Sequence, residues 1–444
     1  MYIPLSSHFT YKKLIQFTFP SIAMLIFTSI YGVVDGFFVS NFAGKTPFAA
    51  VNLIMPVIMI ISTVGFMLGT GGTALVAKTY GEGDKEKANR YFSLLVYVAF
   101  AVGTVLAALG FLFVRPIASL LGAQDVLLNN CVLYARVIFT TLPFFMLQVM
   151  FQSFFVAAEK PQLGLLVTVI SGVSNMVLDA VLVLSFPQEH KLLGAALATA
   201  FSQFVGGAVP LFYFFAKNSS ILRLGKTSYD GKAIFKACTN GSSEFMNNIS
   251  MSLVGILYNW QLMTYAGENG IAAYGVMMYV SMIFSAAFVG FSIGGAPIVS
   301  YHYGAKNHAE LNNLLRKSLN LVGIFGIGMI LSAEALSAPL SKLFVGYDME
   351  LYNLTVSGFR IFGLSFGFMG FSIFASGFFT ALNDGLTSAL ISFLRTLVFQ
   401  SASIVLLPLL LGINGIWISV VVAECLSVVL GVLFLLIKRK KYHY

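Results

Sequence analysis

Residues 43 to 90, AGKTPFAAVNLIMPVIMIISTVGFMLGTGGTALVAKTYGEGDKEKANR, align without a gap against residues 266 to 313, AGENGIAAYGVMMYVSMIFSAAFVGFSIGGAPIVSYHYGAKNHAELNN. The offset is 223 throughout, and 15 of the 48 positions are identical. Among them are Ala43-Gly44 with Ala266-Gly267, Gly71-Gly72 with Gly294-Gly295, and Tyr80-Gly81 with Tyr303-Gly304. Further along, the register continues at an offset of 224, where Arg136 meets Arg360 and Phe154-Phe155 meets Phe378-Phe379. Similarity this long at one spacing means that the chain is built twice.

The stretches flanking this repeat are apolar. Of the 444 residues, 58% are hydrophobic and 10% charged, with a mean hydropathy of +0.87, where soluble domains carry about 25% charged residues. Apolar runs long enough to cross a hydrocarbon core of roughly 30 Å recur along the whole length. They predict twelve spans, at 14–40, 48–77, 91–114, 131–156, 162–186, 192–216, 239–265, 271–299, 315–338, 354–381, 386–411 and 414–437. The predicted fold class is therefore an all-α polytopic membrane protein, with two parallel-repeat six-helix bundles around a central cleft. Six spans per repeat is an even number, so both halves enter from the same side and are related by an axis along the membrane normal. The predicted organisation is an N-terminal lobe at 1–216, a linker at 217–238, and a C-terminal lobe with a basic tail at 239–444. The opening residues, MYIPLSSHFTYKK, lack the apolar core of a cleavable signal, so the first span is expected to direct insertion.

The formal charge of +9 is spread unevenly. With the N-terminus inside, 19 basic residues fall on the cytoplasmic side, including Lys78, Lys85, Lys87, Arg90 and the tail Lys438 to Lys441, and four, Lys45, Arg115, Lys191 and Lys342, on the other. That is the bias of a membrane protein with both termini cytoplasmic, not of a nucleic-acid binder. Cys131, Cys238 and Cys425 have neither metal nor disulfide spacing.

Energy-converting and catalytic motifs are missing or misplaced. No GxxxxGK[ST] loop occurs, so an ion gradient is the expected energy source. Gly290-Phe-Ser292-Ile-Gly294 and Gly363-Leu-Ser365-Phe-Gly367 match GxSxG, but both fall inside apolar spans and not on a strand-turn-helix elbow. His302, His308 and Glu310 read as solvated loop residues without metal-site spacing. A membrane enzyme or receptor would need a constellation that is not seen, and no cofactor is expected. Most of the 41 glycines read as positions where helices approach closely.

Carboxylates inside spans are costly and so point to function. Asp35 lies six residues before Asn41 at the outer end of helix 1, Asp179 eight before Pro187 at the end of helix 5, and Thr199 eight after Lys191. At 1.5 Å per residue all three sit roughly 9 to 12 Å below the outer boundary. Asn175 shares a helical face with Asp179, one turn deeper. Two carboxylates, an amide and a hydroxyl can converge there. Such a group suits a proton, because neighbouring carboxylates resist double ionisation, or a small hard cation such as sodium. The repeat-related positions of Asp35, Asn175 and Asp179 hold Tyr258, Phe399 and Ser403, so the acidic cluster exists in one lobe only. Glu244 and Glu424 are further intramembrane carboxylates, and Glu334 reads as interfacial.

Over nearly its full length the chain resembles the multidrug and toxic compound extrusion (MATE) family. The resemblance rests on the duplicated six-helix plan, Pro20 with Asp35 in helix 1, GGTALVAKTYGEGDKEKANR at 71–90, SNMVLDAVLV at 174–183 and GAALAT at 194–199. It implies an inner-membrane antiporter that expels amphipathic, often cationic, small molecules as protons or sodium ions enter, working as a monomer in the lipid bilayer by alternating access. By similarity, Asp35, Asn175, Asp179 and Thr199 would form the cation site, Pro20 would be the point where helix 1 bends, and Gln148 and Gln152 would face the substrate cavity. Where one branch of the family has C-lobe carboxylates, this chain has Ser252 and Met369. A flippase for lipid-linked sugars from the same superfamily is the alternative, but its extra helices and cationic cavity are not apparent.

Overall fold

A computed structural model describes residues 3–444. The N-lobe consists of α1 (Tyr11–Ala43), α2 (Lys45–Gly81), α3 (Lys85–Leu120), α4 (Asp125–Ala157), α5 (Pro161–Val183) and α6 (Gln188–Phe215). One continuous run, Gly231–Gly304, supplies two C-lobe helices, α7 (231–266) and α8 (268–304). They are followed by α9 (His308–Val345), α10 (Met349–Gly363 and Phe366–Ala381), α11 (Gly385–Leu411) and α12 (Ile413–Tyr442). Among the described residues ten helices are long and apolar enough to span a membrane. Dividing the longest one at Gly267 and adding α10, whose halves meet at 44°, brings the total to twelve.

The repeat acts through particular residues. Gly44 (φ 108°) separates α1 from α2, and its repeat mate Gly267 (φ 59°) separates α7 from α8. At these angles a Cβ is strained, which explains why the Ala-Gly pair appears twice. Likewise Asp84 caps α3 by accepting from the Lys87 N–H, and Asn307, 223 positions later, caps α9 by accepting from the Glu310 N–H.

The lobes meet at the end of the bundle that carries both termini, through contacts that the repeat maps onto one another. A Cβ on Gly81 would strike the Tyr301 carbonyl, and one on Gly304 would strike the Lys78 carbonyl. Since 78 + 223 = 301 and 81 + 223 = 304, these are one contact made twice about a pseudo-twofold axis. The Tyr80 ring lies 6.0 Å from that of Tyr301, and in the related place Lys78 Nζ lies 5.5 Å from the centre of the Tyr303 ring. Deeper in, Gly71 packs on the backbone of Ala237 and Gly241, and its mate Gly294 packs on Thr18. Gly71 and Gly294 are thus sites of close helix approach.

Several elements depart from the hydropathy reading. Helix α7 begins at Gly231, capped by the Asp230 side chain, so the non-helical connection is 216–230. Residues 363 to 367, one of the GxSxG matches, contain the break in α10, with Ser365 fully buried there. His302 and Glu310 are not solvated loop residues, as their polarity suggested: both lie on helices and are 2% and 6% exposed. They are covered by the segment 3–9, which ties the lobes together. In that segment the Leu5 N–H donates to Glu159 of the N-lobe (2.7 Å) and the Phe9 N–H to Glu310 of the C-lobe (2.9 Å). His8 Nδ1 pairs with the second Glu310 oxygen at 2.6 Å, and Lys317 Nζ donates to the Phe9 carbonyl at 2.6 Å. Leu5 and Phe9 are wholly buried.

Candidate functional site

Asp35, Asn175, Asp179 and Thr199 are brought together inside the N-lobe. Asp179, wholly buried, opens a π turn at Asp179–Val183, and α1 ends in a similar turn at Val39–Ala43. Such wide turns insert a residue into a helix and re-aim its side chains. The Thr199 hydroxyl on α6 donates to Asp35 Oδ1 (3.3 Å), and Asn175 Nδ2 donates to Thr199 Oγ1 (3.5 Å). The Asp35 and Asp179 carboxyls face each other. Both Asp179 oxygens, and Asn175 Oδ1, are buried without a donor. Among the described residues no lysine or arginine makes an ion pair with either aspartate.

Two facing carboxyls without a fixed cation leave more negative charge than a buried site tolerates. Chemically, the arrangement can take up one proton between the acids, or one hard cation among their oxygens, the threonine hydroxyl and the amide oxygen. Two tyrosines complete it that sequence reasoning passed over. Tyr31 stands one helical turn before Asp35, and Tyr134 on α4 is buried near Asp35 and Thr199, its hydroxyl making no hydrogen bond. The four-residue spacing of Tyr31 from Asp35 was a usable signal. Nothing in the sequence marked Tyr134.

The other positions are placed as follows. Pro20 is buried within α1, which continues as one helix from Tyr11 to Phe38. Gln148 is buried, and its amide donates to Ser171 Oγ at 3.2 Å. Gln152 is 7% exposed. Neither glutamine lines the cavity of about 330 Å³ that opens between the C-lobe helices and the N-lobe, where Thr70 and Thr73 of α2 and Ser153 of α4 supply the wall.

In the C-lobe, the repeat-related groups do structural work. The Tyr258 hydroxyl bonds to Ser419 Oγ (2.8 Å) and its ring stacks on Tyr274 at 5.0 Å. Ser403, opposite Asp179 in the repeat, is 6% exposed. A second charged group stands apart from them. Arg395, in a π turn at Leu394–Phe399, donates from Nε (3.0 Å) and from its terminal amine (2.7 Å) to Glu424 Oε1. A lone arginine in one span and a lone glutamate in the next could have announced each other as partners.

Matches to known proteins agree with this geometry. The MatE family model matches twice, over residues 20–181 and 245–406, once in each lobe. The multidrug export protein MepA of Staphylococcus aureus (strain MSSA476) is 23% identical over 436 residues, covering 97% of this chain and 94% of MepA. Among solved structures, MATE in the bent conformation superposes with a TM-score of 0.90 at 20% identity, covering 99% of this chain and 97% of that one. The outward-facing conformation of a multidrug resistance MATE family transporter does so with a TM-score of 0.92 at 20% identity, covering 98% and 97%. With both lobes matched by one family model on a duplicated twelve-helix fold, the chain belongs to the MatE, or multidrug and toxic compound extrusion, family.

Proposed function

We propose that the protein is a secondary active antiporter that exports amphipathic, cationic small molecules in exchange for protons or sodium ions, by alternating access between its two lobes. The observation that carries this reading is the Asp35–Asp179 pair, buried and facing without a lysine or arginine, in one lobe of a duplicated fold. A group that served only the fold would be expected in both lobes. An ion bound there neutralises the pair and draws α1, α5 and α6 together, so ion occupancy and lobe arrangement bias one another. Cargo and ion then displace each other through the same equilibrium. The relationship to a multidrug export protein supports the cargo class, and the distribution of basic residues supports cytoplasmic termini.

The test is efflux of a fluorescent lipophilic cation from proteoliposomes, with proton and sodium gradients imposed separately. We expect export to follow one of the two gradients and to stop in Asp35→Asn and Asp179→Asn proteins that still insert and fold. Export that ignores both gradients, or that continues at the wild-type rate in both variants, would defeat the coupling site.

A further inference from the structure

The cavity between the C-lobe helices has charge chemistry that the ion site does not use. Of the residues lining it, three are charged: Glu244, Arg395 and Glu424. Arg395 and Glu424 cancel, being locked to each other by hydrogen bonds of 2.7 to 3.1 Å, with Glu424 fully buried. Glu244, half-buried on α7, has no such partner: among the described residues its carboxyl forms no salt bridge and accepts no hydrogen bond. The wall therefore carries one carboxyl without a basic partner.

Around that carboxyl the wall is soft and aromatic. Met251, Met278 and Met369 offer unbranched thioethers that adapt to ligand shape. Tyr274, partly exposed on the wall, offers a ring surface that attracts cations, backed by the buried rings of Tyr258 and Phe362. Glu244 also lacks a repeat counterpart: 244 − 223 = 21, and Ser21 is a buried serine. Each lobe thus has an acidic feature without a basic partner that the other lacks, Asp35 with Asp179 in the N-lobe and Glu244 in the C-lobe.

We propose that this cavity is the binding site of the exported organic cation, with the Glu244 carboxylate as its counter-charge and the Arg395–Glu424 pair keeping the remaining wall neutral. The inference rests on the antiporter reading and adds a division of labour, with the coupling ion held in the N-lobe and the cargo in the C-lobe. Because Glu244 has no partner to lose, replacing it leaves the fold's own contacts intact.

The experiment compares two probes of nearly one shape and opposite charge, tetraphenylphosphonium and tetraphenylborate, in equilibrium binding to the purified protein in lipid nanodiscs. The wild type should prefer the phosphonium. Glu244→Gln should weaken phosphonium binding by roughly tenfold, about 1.4 kcal/mol, without weakening borate binding. Glu244→Asp should recover part of the loss, and Glu244→Lys should reverse the preference. Thermal unfolding and elution volume verify that each variant is folded. Unchanged phosphonium affinity in folded Glu244→Gln, or a wild-type preference for the borate, overturns the assignment. The two proposals fail separately. Gradient-driven export with no role for Glu244 sinks this one alone, whereas Glu244-dependent binding without gradient-driven export sinks the antiporter reading.

Discussion

Glu424 is fully buried and Arg395 13% exposed, so each holds the other's charge in a place where neither could stand alone. Removing one partner of a buried pair costs about 3–5 kcal/mol, while replacing both by apolar groups of similar size is often neutral. We expect Glu424→Gln to lower the thermal midpoint markedly, and Arg395→Met with Glu424→Leu to recover most of that loss. Additive losses in the double variant would contradict this account of the pair. Asp35 and Asp179 were legible because a carboxylate in an apolar run is conspicuous, and their common depth follows from counting residues to the loops. Tyr134 was not, because a tyrosine in a span is ordinary and only the packing of α4 brings its hydroxyl beside Thr199. Gln148 illustrates the opposite limit. The resemblance implied a cavity wall, and in the folded chain its amide nitrogen donates to Ser171 inside the N-lobe.

Helices were the most legible elements, since twelve apolar runs and a repeat leave little freedom of architecture. The breaks were harder to see. Gly267 was visible as half of a repeated Ala-Gly pair, but the bend in α10 occurs inside an uninterrupted apolar run. The role of segment 3–9 was not legible, because its partners, His302 and Glu310, look like loop residues until the chain folds over them. Burial works to raise the Glu310 carboxyl, but the Phe9 N–H, His8 and Asn313 outweigh it and hold the group below the usual carboxylate range. A depressed folded-state value means that the segment's anchor is fully present above the unfolded value of about 4.3. It is lost as pH falls through the lower, folded value. Protection of the Leu5 and Phe9 amides against hydrogen exchange, taken relative to the unprotected rate at each pH, should therefore be high at neutral pH and fall in acid. Glu310→Gln should exchange fast already at pH 7, and equal protection in the variant would show that the carboxylate does not anchor the segment. The lobe contact at Gly81 and Gly304 gives a second expectation. Alanine at both positions puts a methyl against a carbonyl on each side, which should part the lobes at the terminal end. Spin labels on Lys85 and Lys306, both exposed there, would report a longer separation, and an unaltered distance would mean that the backbones yield elsewhere.

At the scale of the whole molecule, the duplication sets the architecture and its imperfections set the chemistry. The distribution of 19 against four basic residues leads us to expect that a reporter fused after Lys441 is active only where cytoplasmic reporters are active. Activity of a periplasmic reporter at that position would invert the topology. The lobe contact also has a quaternary meaning. Gly81 on Tyr301 and Gly304 on Lys78 are the two halves of an isologous interface, the kind that joins identical subunits of a homodimer. Such an interface does not depend on a covalent tether, and the connection between the lobes is exposed at Lys226 and Tyr229. A chain severed between those residues should accordingly persist as two different six-helix subunits, held in register by a surface that was symmetric before it was joined.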